Sequence, residues 1–176
     1  MTMWVFGYGS LLWHPGFTVA RQEVATLDGY HRSFCMRSIH HRGSSDHPGL
    51  VLALDAAPGT QCTGLALAVA AGEEEQTLAY LRERELISSA YLERDLQVAL
   101  ASGEIVTAVT YVIDPDHVQY CGNLPLEDQA RIIASAVGDR GPNTEYLYNT
   151  AAHLGEIGLA DPDLDWLATR VRALTA

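Results

Sequence analysis

The run Trp4-Val5-Phe6-Gly7-Tyr8-Gly9-Ser10-Leu11-Leu12-Trp13 places a serine hydroxyl just after two glycines at the end of an apolar segment. A buried strand that stops in such a turn exposes its amides, because Gly7 and Gly9 let the backbone bend and come close to a ligand. Those N–H groups, beside the Ser10 hydroxyl and the Tyr8 ring, suit a carboxylate or a developing oxyanion. Two commoner motifs fail here. A dinucleotide fingerprint opening at Gly7 needs a third glycine where Leu12 stands, and a nucleophile elbow on Ser10 fails at the same residue.

A second reactive group is Glu85. From Glu73 to about Ile87 the hydrophobic period becomes helical, with Glu73, Glu74 and Glu75 at the end where a helix favours negative charge. Leu78 and Leu81 define the apolar face. At about 100° per residue Glu85 falls about 20° from Leu78, so its carboxylate is predicted to point inward, with Glu83 and Arg84 well off that face. A carboxylate so placed is either neutralised by an arginine or raised in pKa, and the second case makes a general base near neutrality. Arg42-Gly43 offers a guanidinium beside a flexible backbone position, able to grip a carboxylate with two hydrogen bonds or to stand as a surface arginine. His40, His41, His47 and Asp46 share that loop without the i, i+4 spacing of a zincin, so no metal is expected.

The elements that must hold these groups follow from pattern. Gly29 to Ser38, Leu50 to Leu54, Gly64 to Val69, Glu93 to Leu100 and the β-branched run Ile105 to Ile113 read as strands, the last two joined by a Ser102-Gly103 turn. A linker is placed around Ser88 and Ser89. The carboxy-terminal third reads as three helices: Leu126, Ala130, Ile133 and Val137 share one face, Leu147, Ala151 and Leu154 a second, and Leu164, Leu167, Val171 and Leu174 a third. Pro142 and Asn143 open the second of these, and Asp161-Pro162 caps the third. Strands first and helices after them predict an α+β fold, a closed or nearly closed antiparallel sheet with helices outside.

With 176 residues and 48% hydrophobic composition, residues 1–176 are read as a single domain with a real core. A net charge of −11 argues against a nucleic-acid partner and against an anionic membrane surface. Every basic residue is arginine, which excludes Schiff-base chemistry and a P-loop. Cys35, Cys62 and Cys121 are odd in number and lack CxxC spacing, as fits a reducing cytoplasm. Without a signal-peptide pattern or a run of roughly 18 apolar residues, the expected location is cytoplasmic.

Five segments occur in an order that resembles the ChaC-type γ-glutamylcyclotransferases: the Trp4–Trp13 run, His41-Arg42-Gly43, Tyr80-Leu81 with Arg84-Glu85, Pro125-Leu126-Glu127-Asp128, and Asn143-Thr144-Glu145-Tyr146-Leu147. The resemblance implies a mixed β-barrel with peripheral helices and a cofactor-independent conversion of glutathione to 5-oxoproline and cysteinylglycine. It implies Glu85 as the catalytic glutamate and Val5, Phe6, Gly7, Tyr8, Gly9 and Ser10 as the substrate-binding turn; the Leu11 amide, Arg42 and Tyr146 are expected as further substrate contacts. The Tyr146 phenol either reaches substrate or serves as a core tyrosine with one polar contact. Many members follow the glutamate with Gly-Gly-Tyr-Arg, whereas Leu86-Ile87-Ser88-Ser89 follows here, which bears on the amine half of the substrate. The rival readings are a cyclotransferase acting on other γ-glutamyl amines or amino acids, and a non-catalytic anion-binding module.

Overall fold

A strand apolar on both faces, like Trp4-Val5-Phe6, is stable only when covered on both. In the structure, a computed structural model that describes residues 2–86 and 89–176, these residues form β1 (Trp4–Gly7), buried at every position. Two compact units are present, one of Met1–Arg32 and Leu54–His117, the other of Ser33–Ala53 and Val118–Ala176.

The first unit carries β1, a 3₁₀ turn (Ser10–Leu12), β2 (Val19–Ser38) as far as Arg32, and β3 (Gly49–Val69) from Leu54 on; α1 (Glu74–Glu85), β4 (Tyr91–Leu100) and β5 (Ile105–Ile113) complete it. The sheet closes as a barrel in the order β1-β3-β2-β4-β5. β1 lies antiparallel to β3, with Phe6 opposite Ala66, and parallel to β5, with Trp4 opposite Ala108. That parallel closing pair makes the barrel mixed, as the resemblance implies, and not purely antiparallel as the strand pattern alone suggests. Its core holds Trp4, Phe6, Leu27, Leu54, Leu100 and Val112, with Tyr8 and Tyr30 packed against them.

The long strands depart from the sequence pattern for visible reasons. β2 begins at Val19, ten residues before Gly29; that stretch buries only Ala25 and Leu27 and exposes Ala20, Arg21 and Gln22, so its alternation is faint in the sequence. β3 runs on through Pro58 and Gly59, where Gly59 adopts φ +85 and the Thr60 hydroxyl donates to the Ala57 carbonyl (2.6 Å). Helix α1 begins where expected. Ile87 and Ser88, the predicted end of that helix and start of its linker, lie outside the described residues.

The second unit contains α2 (Leu126–Ser135), the short pair β6 (Val137–Gly138) and β7 (Gly141–Pro142), α3 (Asn143–Glu156) and α4 (Pro162–Thr175). Ala130, Ile133, Leu147, Leu154, Leu164, Leu167 and Val171 are buried, as their helical spacing predicts. A bidentate pair from Arg170 to Glu127 (2.7 and 2.9 Å) ties α4 to α2, and Asp161 caps α4 through the Asp163 and Leu164 amides. Val137 is a correction: it is exposed and lies past the helix. Ala136 turns extended (ψ 140), and Val137 pairs with Pro142 in the two-residue ladder.

The junction of β1 and β3 yields a test. A Cβ at Gly64 would run into the Gly7 carbonyl oxygen and press on the Phe6 ring at 3.0 Å, whereas a Cβ at Gly9 meets nothing within 4 Å. Overpacking against backbone costs about 1–3 kcal/mol, so Gly64→Ala is expected to melt roughly 5–10 °C below the parent. Gly9→Ala is expected to melt with the parent, and equal melting temperatures for both variants would refute the close approach.

Candidate active site

Within the first unit, β1 carries a turn that its own burial holds still. Val5 and Phe6 have no exposed surface, so their part is to carry the residues that follow. After Gly7 the chain passes Tyr8 and Gly9 into the 3₁₀ turn, where the Leu12 amide donates to the Gly9 carbonyl (2.9 Å) and the His14 amide to that of Ser10 (2.8 Å). Leu11 and Leu12 are buried and anchor the turn, while Ser10 is exposed. Among the described residues, the amides of Gly9, Ser10 and Leu11 donate to no protein acceptor. The space over Gly9 is open, which suits a ligand approaching those amides.

Glu85 occupies the last turn of α1, on the face that buries Thr77 and Leu81. Its side chain is 17% exposed. Burial pushes its carboxyl above the ordinary carboxylate value of 4.5, and the Arg84 guanidinium, 3.4 Å away, pulls part of the way back. The helical period thus placed Glu85 correctly.

Arg84 corrects the sequence reading, which set it off the inward face. Its Cβ leaves the helix obliquely, but the long side chain reaches across. Nη2 donates to the Ser10 hydroxyl (2.8 Å), and Nη1 donates to the carbonyls of His14 (2.6 Å) and Pro15 (3.3 Å) and to the Tyr80 hydroxyl (3.2 Å). One guanidinium therefore joins the turn to the residue beside the buried carboxylate. Helical angle gives only the direction of a Cβ, and an arginine spans far beyond that. The signal available in sequence was Tyr80 and Arg84 at i, i+4 next to Glu85.

Two more groups of this unit escaped the sequence reading. Tyr111 is buried and donates to Glu93 (2.8 Å), whose carboxylate accepts two bonds from Arg82 (3.0 Å each). Burial and the bond to Glu93 push the phenol well above its ordinary 10, with the Glu85 charge adding to the effect. Arg32 is almost fully buried, and its Nε donates to the Tyr8 carbonyl (2.7 Å). A single charge in the run Arg32-Ser33-Phe34-Cys35-Met36 was its signature.

Arg42 and Tyr146 belong to the second unit and meet there. The Arg42 amide donates to the Ser38 hydroxyl (2.9 Å); its Nη1 donates to the carbonyls of Arg140 and Pro142 (3.1 Å each) and lies 3.9 Å from Glu145. Nε and Nη2 have no protein acceptor among the described residues, and the guanidinium sits 5.8 Å from the Tyr146 ring centroid. Gly43 is no hinge: a Cβ there, or at Gly138, would collide with neighbouring backbone, so the loop is packed at contact distance. The Tyr146 hydroxyl accepts from the Leu52 amide (3.2 Å), and its ring meets Phe34 edge-on at 6.0 Å. Asn143, fully buried, brackets Leu50 by accepting from its amide (2.8 Å) and donating to its carbonyl (2.9 Å). Among the described residues no cluster of three or more His, Cys, Asp or Glu forms a cage for a metal ion, and no helix is long and apolar enough to cross a membrane.

Comparison with known proteins bears on this geometry. The sequence model described as ChaC-like protein matches residues 3–174. The chain is 36% identical to the glutathione-specific γ-glutamylcyclotransferase of Escherichia coli K12, over 99% of this chain and 74% of that protein. It is 37% identical to γ-glutamylcyclotransferase 2-1 of Arabidopsis thaliana, over 98% of this chain and 83% of that one. The crystal structure of a glutathione-specific γ-glutamyl cyclotransferase from yeast superposes with a TM-score of 0.84 over the full length of both chains, at 21% identity, which establishes the shared fold.

The burial of Glu85 has a measurable sign. With the native carboxyl raised above its unfolded value, the native state binds the proton more tightly, so this group's contribution to stability falls as pH rises above 4.5. Glu85→Gln removes that term. Its melting temperature is expected to match or exceed the parent's at neutral pH, with the gap closing as the pH approaches about 4. A variant less stable than the parent at neutral pH would mean that attraction to Arg84 outweighs burial.

Proposed function

The chain belongs to the ChaC-like family, and from that premise we propose that it is a glutathione-specific γ-glutamylcyclotransferase, forming 5-oxoproline and releasing cysteinylglycine. The carrying observation is a mostly buried carboxylate of raised pKa, Glu85, whose neighbour Arg84 reaches the hydroxyl of a turn whose amides are unengaged among the described residues. The match over residues 3–174 runs through both units and supports reading the chain as one functional domain. The odd, dispersed cysteines support a reducing, cytoplasmic setting.

In the proposed reaction the α-amino nitrogen of the γ-glutamyl group attacks its own γ-carbonyl carbon. A C–N bond closes the five-membered ring, and the bond from that carbon to the cysteinyl nitrogen breaks. Both reacting atoms belong to one molecule, so holding the chain in attack geometry supplies much of the acceleration. An ammonium cannot attack, and Glu85 takes its proton and returns it to the leaving amine. The pKa raised by burial suits both transfers. The oxyanion of the tetrahedral intermediate is met by the amides of Gly9, Ser10 and Leu11, with Gly7 and Tyr8 setting the approach. Arg42, with two guanidinium nitrogens unengaged among the described residues, and Tyr146 are proposed to hold substrate, the arginine through a carboxylate.

Incubation with glutathione followed by product analysis tests the reading, with a panel of other γ-glutamyl amines and amino acids alongside it. Expected are 5-oxoproline and cysteinylglycine in equal amounts, and no comparable turnover of the panel. Glu85→Gln is expected to fold and to lose roughly 10²- to 10⁴-fold in turnover. Gly9→Val is expected to fold and to be inactive, since its side chain fills the open space over the turn. Binding of glutathione without 5-oxoproline would leave only an anion-binding module.

A further inference from the structure

Glycine at position 9 leaves the turn open, and it also leaves the Tyr8–Gly9 peptide easy to flip. A peptide rotates as a plane, and the flip that exchanges the directions of its C=O and N–H needs a residue tolerant of both signs of φ, which glycine is. Something must therefore hold the Tyr8 carbonyl on one side. Arg32 does so from the interior: its Nε donates to the Tyr8 carbonyl (2.7 Å) and its Nη2 to the Thr63 carbonyl (2.7 Å).

The two acceptors lie on different elements, since Thr63 belongs to β3 and Tyr8 follows β1. The guanidinium fork spans them in one plane, which an ammonium on a flexible stem cannot do. Arg32 is 5% exposed, so water does not compete strongly for these bonds, and bonds from a charged donor are the stronger class. Next to Thr63, Gly64 comes close to the Gly7 carbonyl and blocks retreat of the strand end. The Tyr8–Gly9 peptide is trans, so a carbonyl held toward Arg32 aims the Gly9 N–H the opposite way, where no acceptor among the described residues meets it.

We infer that Arg32 is a positioning residue for the cyclisation, locking the Tyr8–Gly9 peptide so that the Gly9 amide faces the oxyanion. The inference rests on the cyclotransferase reading above. It assigns Arg32 an effect on the chemical step and none on the proton transferred by Glu85.

The test compares the parent with Arg32→Lys, which keeps the charge and loses the fork, and with Arg32→Gln in case lysine does not fold. With glutathione, a folded variant is expected to lose roughly 10- to 100-fold in kcat, less than the roughly 10²- to 10³-fold typical of deleting an oxyanion donor. KM is expected to stay within about threefold, and the acid limb of the pH–rate profile to keep its midpoint. A purely structural role predicts lost rate only in proportion to unfolded protein, and unchanged kcat in a folded variant overturns the inference. If the parent makes no 5-oxoproline while binding glutathione, the cyclotransferase reading itself fails and the inference falls with it. Should neither variant fold, amide exchange in the parent decides, using glutaryl-cysteinylglycine, which lacks the attacking amine. Protection of the Gly9 amide on saturation with this probe supports the inference, and unchanged exchange refutes it.

Discussion

The lateral hydrogen bonding of β1, antiparallel to β3 on one edge and parallel to β5 on the other, fixes where the glycine turn begins. A strand paired on both edges has no free backbone with which to slide, and a slip of one residue would send Trp4 and Phe6 out of the barrel core. Burying side chains of this size is worth about 1.5–3 kcal/mol each, so the register is strongly held. The turn inherits that rigidity, and its open amides keep their direction because everything behind them is packed. In the same unit, α1 presents Glu85 from a face anchored by the buried Leu81.

Arginine works from inside this acidic chain in a repeated way. Arg32 holds the carbonyls of Tyr8 and Thr63, Arg84 those of His14 and Pro15, and Arg42 those of Arg140 and Pro142. Each clamps two main-chain oxygens of segments distant from it in sequence. A guanidinium stays charged when buried, is weakly hydrated and offers several donors in one plane, which a lysine ammonium does not match. A basic set made entirely of arginine is consistent with that use. Arg84 also moderates the carboxylate beside it, so one residue shapes the turn and limits how far the Glu85 pKa rises.

Much of this was legible in the residues. Period 3.6 found α1 and the inward set of Glu85, and it found the buried leucines of α3 and α4, because a helix face is a local property. The Trp4–Trp13 run announced its turn through glycine chemistry. The extent of β2 and β3 was not legible, since Ala25 and Leu27 make a faint alternation and Pro58-Gly59 reads as a break unless neighbouring strands hold it in line. Val137 continued a helical spacing that the chain abandons at Ala136. Arg84, Arg32 and Asn143 were missed for one reason: each acts through a long or forked side chain on backbone distant in sequence. Periodicity carries no record of such contacts.

The parallel pairing of Trp4 and Val5 with Ala108 and Val109 sets an order of events during synthesis. The first strand made must wait for about a hundred further residues before its second edge is covered, roughly 5–20 s at ordinary elongation rates. During that interval the apolar Trp4–Leu12 segment lacks its final partner, and long-range closure of this kind is slow compared with helix formation. A nascent or truncated chain ending before β5 therefore carries every residue of the glycine turn and Glu85, yet lacks the strand that fixes where the turn stands. Barrel closure is thus the step that fixes where the turn stands, and the one that a chaperone would guard.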